Sequence, residues 1–235
     1  SKLAPGVWFI GGLDVMHGDY RVVRERRVDS NSDQAPIIDR YSGSVVRPAV
    51  HATLDLRVRP WLQLLGGMRM DFYEDTQRLS VEPRFVSRVR VRDGDYRTTF
   101  KGGFGIFQQP PEPEESLQPW GTPNLQAPRA LHTSLGVEQR LGAVAELSVE
   151  GFYKHIDRLI GAVRDPSNDI SGVRYINEGS GDAYGLELLF RWKLPHFYGW
   201  IAYTLSRSER RRDNDSPLSL YAFDQPHILS AVGSY

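Results

Sequence analysis

Residues 177–200 read NEGSGDAYGLELLFRWKLPHFYGW, and this stretch decides the class of fold. From Ala183 to Lys193, large apolar side chains alternate with side chains that are mostly small or charged. Because successive side chains of a strand point to opposite faces of a sheet, the stretch predicts one long strand with an apolar face and a mostly charged face. The apolar face would carry Tyr184, Leu186, Leu188, Phe190 and Trp192.

The same alternation recurs along the chain, most regularly in residues 50–59, 62–73 and 98–107. Together these stretches predict about ten strands of eight or more residues, which is longer than the five or six residues usual in globular proteins. In a soluble sandwich the apolar face would form the core, whereas in a transmembrane barrel it would face lipid.

The connections between the predicted strands differ in length, and they decide between these two alternatives. Short turns are predicted at Pro60, Asp93, Leu141 and Pro195, while four connections are long: residues 17–44, 110–129, 161–172 and 208–224. Outer-membrane barrels have short periplasmic turns, long outer loops and aromatic residues near both strand ends. The pattern therefore predicts an all-β fold, an antiparallel up-and-down transmembrane β-barrel, with residues 1–235 forming a single barrel region.

Composition excludes several classes of site. Lys plus Arg and Asp plus Glu each number 29, so the formal net charge is +0 and gives no argument for nucleic acid as a partner. The chain has no cysteine, which excludes disulfides and thiol chemistry. None of the 6 histidines has the spacing of a metal site, and we expect neither a metal nor a cofactor.

Several motifs, in this order, resemble the barrel of TonB-dependent outer-membrane receptors. They are a Gly-x-Arg-x-Asp strand, a strand with Pro-Arg, an aromatic-Gly strand that runs into a proline loop, and a Gly-x-Glu strand after an Asn-x-Gly approach. The matching positions are Gly67, Arg69 and Asp71; Pro83 and Arg84; Phe104 and Gly105; Pro110 and Pro111; and Asn177, Gly179, Gly185 and Glu187.

The resemblance implies a portion of a larger barrel of about twenty-two strands that also holds an N-terminal plug. It implies an importer of a scarce substrate such as a ferric siderophore, with no covalent chemistry. Outer loops would capture the substrate, and the TonB energy complex would act on the plug. Lipid and lipopolysaccharide of the bacterial outer membrane would surround the barrel.

A self-contained ten-stranded outer-membrane barrel is the alternative, with an adhesive, structural or omptin-like protease role. Such a barrel would close by pairing the strand after Gly6 with the strand that ends at Tyr235. A protease site would use Asp and His near the outer rim, where Asp14, His17, Asp71 and His155 are available, although their spacing does not pair them.

Three sets of residues follow from these predictions. The lipid-facing aromatic residues would be Tyr184, Phe190 and Trp192, and contacts with an extracellular ligand would come from Trp120, Arg207, Arg210, Arg211 and Arg212. A polar wall facing the lumen would comprise Asp55, Arg57, Arg69, Asp71, Arg84, Arg88, Lys101, Glu138, Glu146, Glu150, Glu187 and Arg191.

Overall fold

The computed structural model describes residues 2–26, 37–117, 121–164 and 173–235. These residues form one antiparallel sheet in which each strand pairs with the next along the chain, except the last, which pairs with the strand two positions before it. The strands are β1 (Lys2–Ala4), β2 (Val7–Arg26), β3 (Ile37–Arg59), β4 (Leu62–Tyr73), β5 (Arg78–Arg92), β6 (Thr98–Gln108), β7 (Arg129–Leu141), β8 (Ala145–Arg164), β9 (Val173–Lys193), β10 (Tyr198–Arg211), β11 (Ser219–Leu220) and β12 (His227–Ser234).

This sheet confirms the up-and-down architecture that the alternating sequence predicts. Ten of the strands have eight or more residues, and the short turns all lie at one end of the sheet because neighbouring strands are antiparallel. Gly94 and Gly142 occupy two of these turns with φ of 87° and 66°, a left-handed conformation that glycine adopts without a steric penalty.

The strands extend further towards the long loops than the sequence predicts. Residues 17–26 and 37–44 belong to strands and not to a loop, and β10 includes residues 208–211. The proline-rich connection also contains a helix, α1 (Pro113–Ser116), where no regular structure was predicted. In the predicted barrel these extensions would lie outside the membrane, where both faces of a strand are in water and charged residues are acceptable.

Two hairpins continue past their neighbours as two-stranded ribbons. The pairing of β4 with β3 stops at Ala49, so the outer part of β3 pairs only with β2. The second ribbon is formed by β8 and β9. The pairing of β7 with β8 stops at Asp157 and the pairing of β10 with β9 stops at Ser180, so the outer parts of β8 and β9 pair only with each other.

The sheet is open. Within the described residues, β2 pairs with β1 and β3, while β12 pairs only with β10. Val7–Val15 therefore form no ladder with the strand that ends near Tyr235. An open sheet is the arrangement predicted for a portion of a larger barrel, and the self-contained ten-stranded barrel required closure. Among the described residues there is no helix long and apolar enough to cross a lipid bilayer.

Candidate functional site

The pairing register divides the side chains of the sheet between two faces, because directly paired residues lie on the same face. One face, here called the charged face, carries Arg69 paired with Glu82, Arg88 paired with Lys101, and Glu146 paired with Arg191. The opposite face, here called the apolar face, carries Leu64, Phe85 and Leu186.

All twelve residues of the predicted polar wall share the charged face. Those in β3 to β5 are Asp55, Arg57, Arg69, Asp71, Arg84 and Arg88, and those in β6 to β9 are Lys101, Glu138, Glu146, Glu150, Glu187 and Arg191. Two histidines, His51 and His132, lie on this face as well. Their direction relative to a lumen remains a prediction.

A cluster of four ionised side chains lies at the centre of the charged face and joins four strands. The Lys101 Nζ atom is 2.6 Å from Glu150 Oε2 and 3.4 Å from Glu138 Oε1, and Arg88 Nη2 is 2.6 Å from Glu138 Oε2. Lys101 pairs directly with Gly136, where a Cβ would come within 2.9 Å of the lysine side chain. The glycine therefore provides the space in which the lysine crosses to both carboxylates.

A second cluster surrounds Arg69. Its guanidinium is 2.6 Å from Asp14 and 2.9 Å from Asp71, and His51 lies 3.6 Å from the same Asp14. Arg69 is thus held from two different strands, β2 and β4. Such charge-assisted bonds are stronger than bonds between neutral groups, and the arrangement fixes the orientation of the guanidinium.

The other predicted wall residues have different partners. The Arg84 guanidinium is 2.9 Å from the Glu82 carboxylate and lies over the Phe107 ring, and Gln63 donates to Asp55 at 2.9 Å. The Arg57 guanidinium lies 4.6 Å from the centre of the Trp8 ring. Arg191 is 3.5 Å from Glu146.

Glu187 differs from the rest of the wall. It pairs directly with Glu150 on β8 and with Thr204 on β10, and among the described residues its carboxylate has no ion pair. Two carboxylates directly opposite each other repel, and only Glu150 has a cation beside it. The wall therefore has one uncompensated negative charge next to its central cluster.

The proline-rich connection between β6 and β7 packs on the outer end of the charged face, and we call residues 109–128 the cap. Its first half is fixed by Arg47, which donates to the Pro111 carbonyl at 3.3 Å and to Asp75 at 2.8 Å. The Asp75 side chain is 0% exposed, and Pro111 is fully buried. The two ends of the cap are joined by a hydrogen bond from Gln109 N–H to the Pro128 carbonyl.

The second half of the cap is fixed by β9. The Asn177 side chain accepts from the Gln126 N–H and donates to the Gln126 carbonyl, both at 2.8 Å. Tyr175 N–H donates to Thr122 Oγ1 at 3.0 Å. Leu125 and Ala127 are buried beside these contacts. The cap therefore extends along the long-loop end of the sheet from β3 to β9.

Helix α1 lies within the cap and begins with a capping box. The Glu115 carboxylate accepts a hydrogen bond from the Glu112 N–H at 2.8 Å. Burial raises the pKa of the Glu115 carboxyl, although that hydrogen bond acts in the opposite direction. Trp120, the predicted aromatic contact of this loop, lies outside the described residues.

The predicted ligand-binding arginines do not converge. Arg207 and Arg211 lie on the same side of β10 as the apolar face, where Arg207 is 2.6 Å from Glu209 and Arg211 donates to Ser180 Oγ. Arg210 points to the other side, with its guanidinium 3.7 Å from the centre of the Tyr221 ring. Arg212 follows the end of the strand. Alternation within a strand separates arginines that the sequence places together.

The candidate protease residues are also divided between the faces. Asp14 and Asp71 share Arg69 on the charged face, whereas His17 and His155 lie on the other side of the sheet. His155 is 2.9 Å from Asp182, which was not among the predicted residues. No group of three or more His, Asp or Glu in the described residues could hold a metal ion.

The apolar face carries Tyr184, Phe190 and Trp192, the predicted lipid-facing aromatic residues. Tyr184 is 43% exposed and Phe190 is 38% exposed, while Trp192 stacks on Phe197 at the short-turn end. Leu135 is 71% exposed although it lies in the middle of β7. Contact with lipid remains a prediction for these side chains.

Sequence reasoning did not identify most of the residues that hold the cap. Arg47, Asp75 and Tyr175 have no sequence signal, because their partners are distant in the chain and depend on how the loop packs. Asn177 belongs to the Asn-x-Gly approach, so it was noticed as part of a motif and not as a contact of the loop.

Residues 5–235 match the family described as TonB dependent receptor-like, beta-barrel. No curated protein matches the sequence.

Several solved structures share the fold. The outer membrane transporter YddB from Escherichia coli aligns with a TM-score of 0.69 at 12% identity, over 97% of this chain and 37% of YddB. The FrpB iron transporter from Neisseria meningitidis aligns at 0.67 and 14% identity, over 93% of this chain and 36% of FrpB. The siderophore receptor PirA from Pseudomonas aeruginosa aligns at 0.60 and 17% identity, over 85% of this chain and 44% of PirA. The chain therefore spans less than half the length of each.

Proposed function

The chain belongs to the TonB-dependent receptor β-barrel family, and we propose that it forms part of the wall of an active importer. As a member of this family it is part of a multi-pass β-barrel of the bacterial outer membrane. In such barrels the short turns are periplasmic and the long loops are extracellular, so the cap lies on the outer side.

The two faces of the sheet support the proposal because a membrane barrel needs both. The apolar face contacts lipid and lipopolysaccharide, and the charged face lines the lumen. A lumen lined by paired charges offers many hydrogen-bonding groups to a polar substrate that loses part of its water.

The packing of the cap on the charged face is the observation that carries the proposal. The cap is an extracellular loop held at β3 by Arg47 and at β9 by Asn177, so it lies over the outer end of the polar wall. Loops positioned by a rigid scaffold commonly carry binding function. The cap captures the substrate, which then passes along the wall.

A ferric chelate is the substrate class that we favour, and the iron is cargo and not a resident metal. FrpB is described as an iron transporter and PirA as a siderophore receptor. The plug domain and the TonB energy complex are the proposed partners, and they supply the gate and the energy for transport. Neither partner requires covalent chemistry from the wall.

An uptake assay tests this function. The intact receptor is expressed in a bacterium that lacks its own ferric-chelate receptors, and radioactive iron is supplied on hydroxamate and catecholate chelates. We expect accumulation of at least one chelate above the empty vector, and loss of that accumulation with a protonophore. A receptor that reaches the outer membrane but accumulates no chelate would contradict the substrate class.

The variant Asn177→Ala tests the role of the cap in the same assay. Loss of two hydrogen bonds to Gln126 should loosen the cap and raise the half-saturating chelate concentration, while the maximal rate changes less. The matched control is Asn214→Ala, because Asn214 is an exposed asparagine of another loop and its side chain makes no hydrogen bond within the described residues. Equal effects of the two variants would exclude the cap from capture.

A further inference from the structure

The charged face changes character at its short-turn end. A cavity of about 790 Å³ lies there, and five arginines line it: Arg57, Arg59, Arg88, Arg90 and Arg97. We call this cavity the arginine basin. Its other lining residues include Trp61, Gln63 and Thr99, and Glu138 is its one carboxylate among the described residues.

The positive charge of the basin is largely uncompensated. Glu138 already accepts from Arg88 and lies 3.4 Å from Lys101. Arg90 is 3.4 Å from Asp93, whose side chain is 75% exposed. Within the described chain, Arg59 and Arg97 have no ion pair. One shared carboxylate and one weak surface pair therefore face five guanidinium groups.

A second cavity of about 650 Å³ continues the basin along the same edge. Arg97 lines both cavities, and Arg140, Arg191 and Lys193 line the second, where Glu146 is the carboxylate. The cations of the two cavities extend from β3 to β9, which is six interstrand spacings or roughly 29 Å. The chain as a whole has a net charge of +0, so this is a local concentration of positive charge.

The outer half of the same face does not share this excess. There Arg47 pairs with Asp75, Arg69 with Asp14 and Asp71, and Arg84 with Glu82. An arginine-rich lumen is therefore not a general property of the wall. Two guanidinium groups of this half have no ion pair within the described residues, but each has another partner: Arg78 donates to the Asn124 carbonyl, and Arg210 lies over the Tyr221 ring.

We infer that the arginine basin binds a carboxylate-rich polypeptide segment inside the lumen. Guanidinium groups can bind carboxylates in a bidentate manner, and within the basin Arg88 already donates one hydrogen bond to Glu138 at 2.6 Å. A small anion could contact only one or two of the arginines, whereas an extended segment with several carboxylates can follow the whole edge. The inference rests on the proposal that the charged face lines the lumen.

Photo-crosslinking in the intact receptor tests the inference. A benzoyl-phenylalanine replaces Arg59 or Arg97 in separate variants, with the receptor in outer membranes. We expect both probes to crosslink within the receptor to one segment in which Asp and Glu outnumber Lys and Arg. The control probe replaces Leu141, which lies at the same end of β7 on the apolar face.

Two results of this experiment would overturn the inference. One is a crosslink yield at Arg59 and Arg97 that does not exceed the yield at Leu141. The other is a crosslinked segment without an excess of acidic residues.

A charge-reversal series separates recognition of charge from simple proximity. With the probe at Gln63, Arg59 and Arg97 are changed together to Lys or together to Glu. We expect the Lys pair to keep the crosslink and the Glu pair to reduce its yield at least tenfold, because like charges that face each other in an interface oppose binding. Equal yields in the two variants would refute electrostatic recognition.

Chelate uptake is measured in the same cells, so that the two proposals can fail separately. Persistent crosslinks without chelate uptake would contradict the proposed substrate and leave the basin intact. Normal uptake without crosslinks would contradict the basin and leave the importer intact.

Discussion

The two faces of this sheet are built from the same strands but follow different physical rules. On the charged face, side chains such as Lys101 and Arg69 each contact groups from two other positions in the sheet. On the apolar face, Leu13 and Leu229 are 82% and 70% exposed and rely on the surroundings for contact. One face carries a network of ion pairs, and the other carries mainly exposed apolar side chains.

This difference determines how the molecule should respond to mutation. Residues that share one ion-pair network show coupled effects, whereas separated residues show additive effects. Substitutions on the charged face should therefore depend on their neighbours, and substitutions on the apolar face should depend mainly on depth in the bilayer.

The largest effect is expected where the charged face is most buried. The variant Asp75→Ala leaves the Arg47 guanidinium, whose side chain is 12% exposed, without its carboxylate. Loss of one partner of a buried pair costs about 3–5 kcal/mol. The free energy of cap opening, measured by proteolysis of the cap in the intact receptor, should fall by this amount. The control Asp93→Ala removes an exposed carboxylate and should leave cap proteolysis unchanged.

The next effect tests the apolar face with one inserted charge. On the proposed lipid-facing side of the sheet, Leu135→Arg should place a guanidinium near the middle of the membrane, at a cost of about 2–4 kcal/mol in the free energy of unfolding in lipid vesicles. Ser134→Arg is the matched control, because Ser134 is the adjacent residue and lies on the charged face. Two variants of equal stability would mean that the face assignment is wrong.

A smaller effect is expected from the central cluster. Lys101→Met removes the cation between Glu138 and Glu150, and about 1–2 kcal/mol of unfolding free energy should be lost, because these side chains remain about a quarter exposed. Adding Glu150→Gln should recover part of the loss, since the network would then contain one carboxylate fewer. Strict additivity in this double-mutant cycle would argue against coupling across the charged face.

The smallest effect lies outside both faces, in the loop after β10. Hydrogen bonds from Ser216, and from the Asp215 N–H, hold the pKa of Asp213 below its ordinary value. A lowered pKa contributes stability above the ordinary value of about 4, and this contribution disappears as the pH falls through the folded pKa. The Ser216 amide should lose protection from exchange on acidification, and in Asp213→Asn this pH dependence should be absent.

Much of the wall could be predicted from the sequence, because alternation is a local property. The alternation in residues 183–193 and 50–59 shows which side chains share a face, and a one-residue error in register would exchange the two faces completely. The ribbon formed by residues 17–26 and 37–44 is not predicted from the sequence, since both faces of such a strand are in water and alternation is no longer required. The partners of Lys101 and Arg47 were also not predictable. They depend on register and on the packing of the cap, which no local pattern encodes.

The two-stranded ribbons should exchange their amide hydrogens at a different rate from the rest of the sheet. A hairpin without further neighbours is only marginally stable in water, whereas residues 49–56 of β3 are flanked by β2 on one side and β4 on the other. Amide hydrogens of residues 18–26 and 37–44 should therefore exchange with solvent deuterium through brief local openings, and those of residues 49–56 should persist until the wall itself opens. One continuous strand thus contains amides that exchange fast and amides that exchange slowly. Its outer part can be replaced, shortened or recognised by another molecule while the membrane part keeps its register.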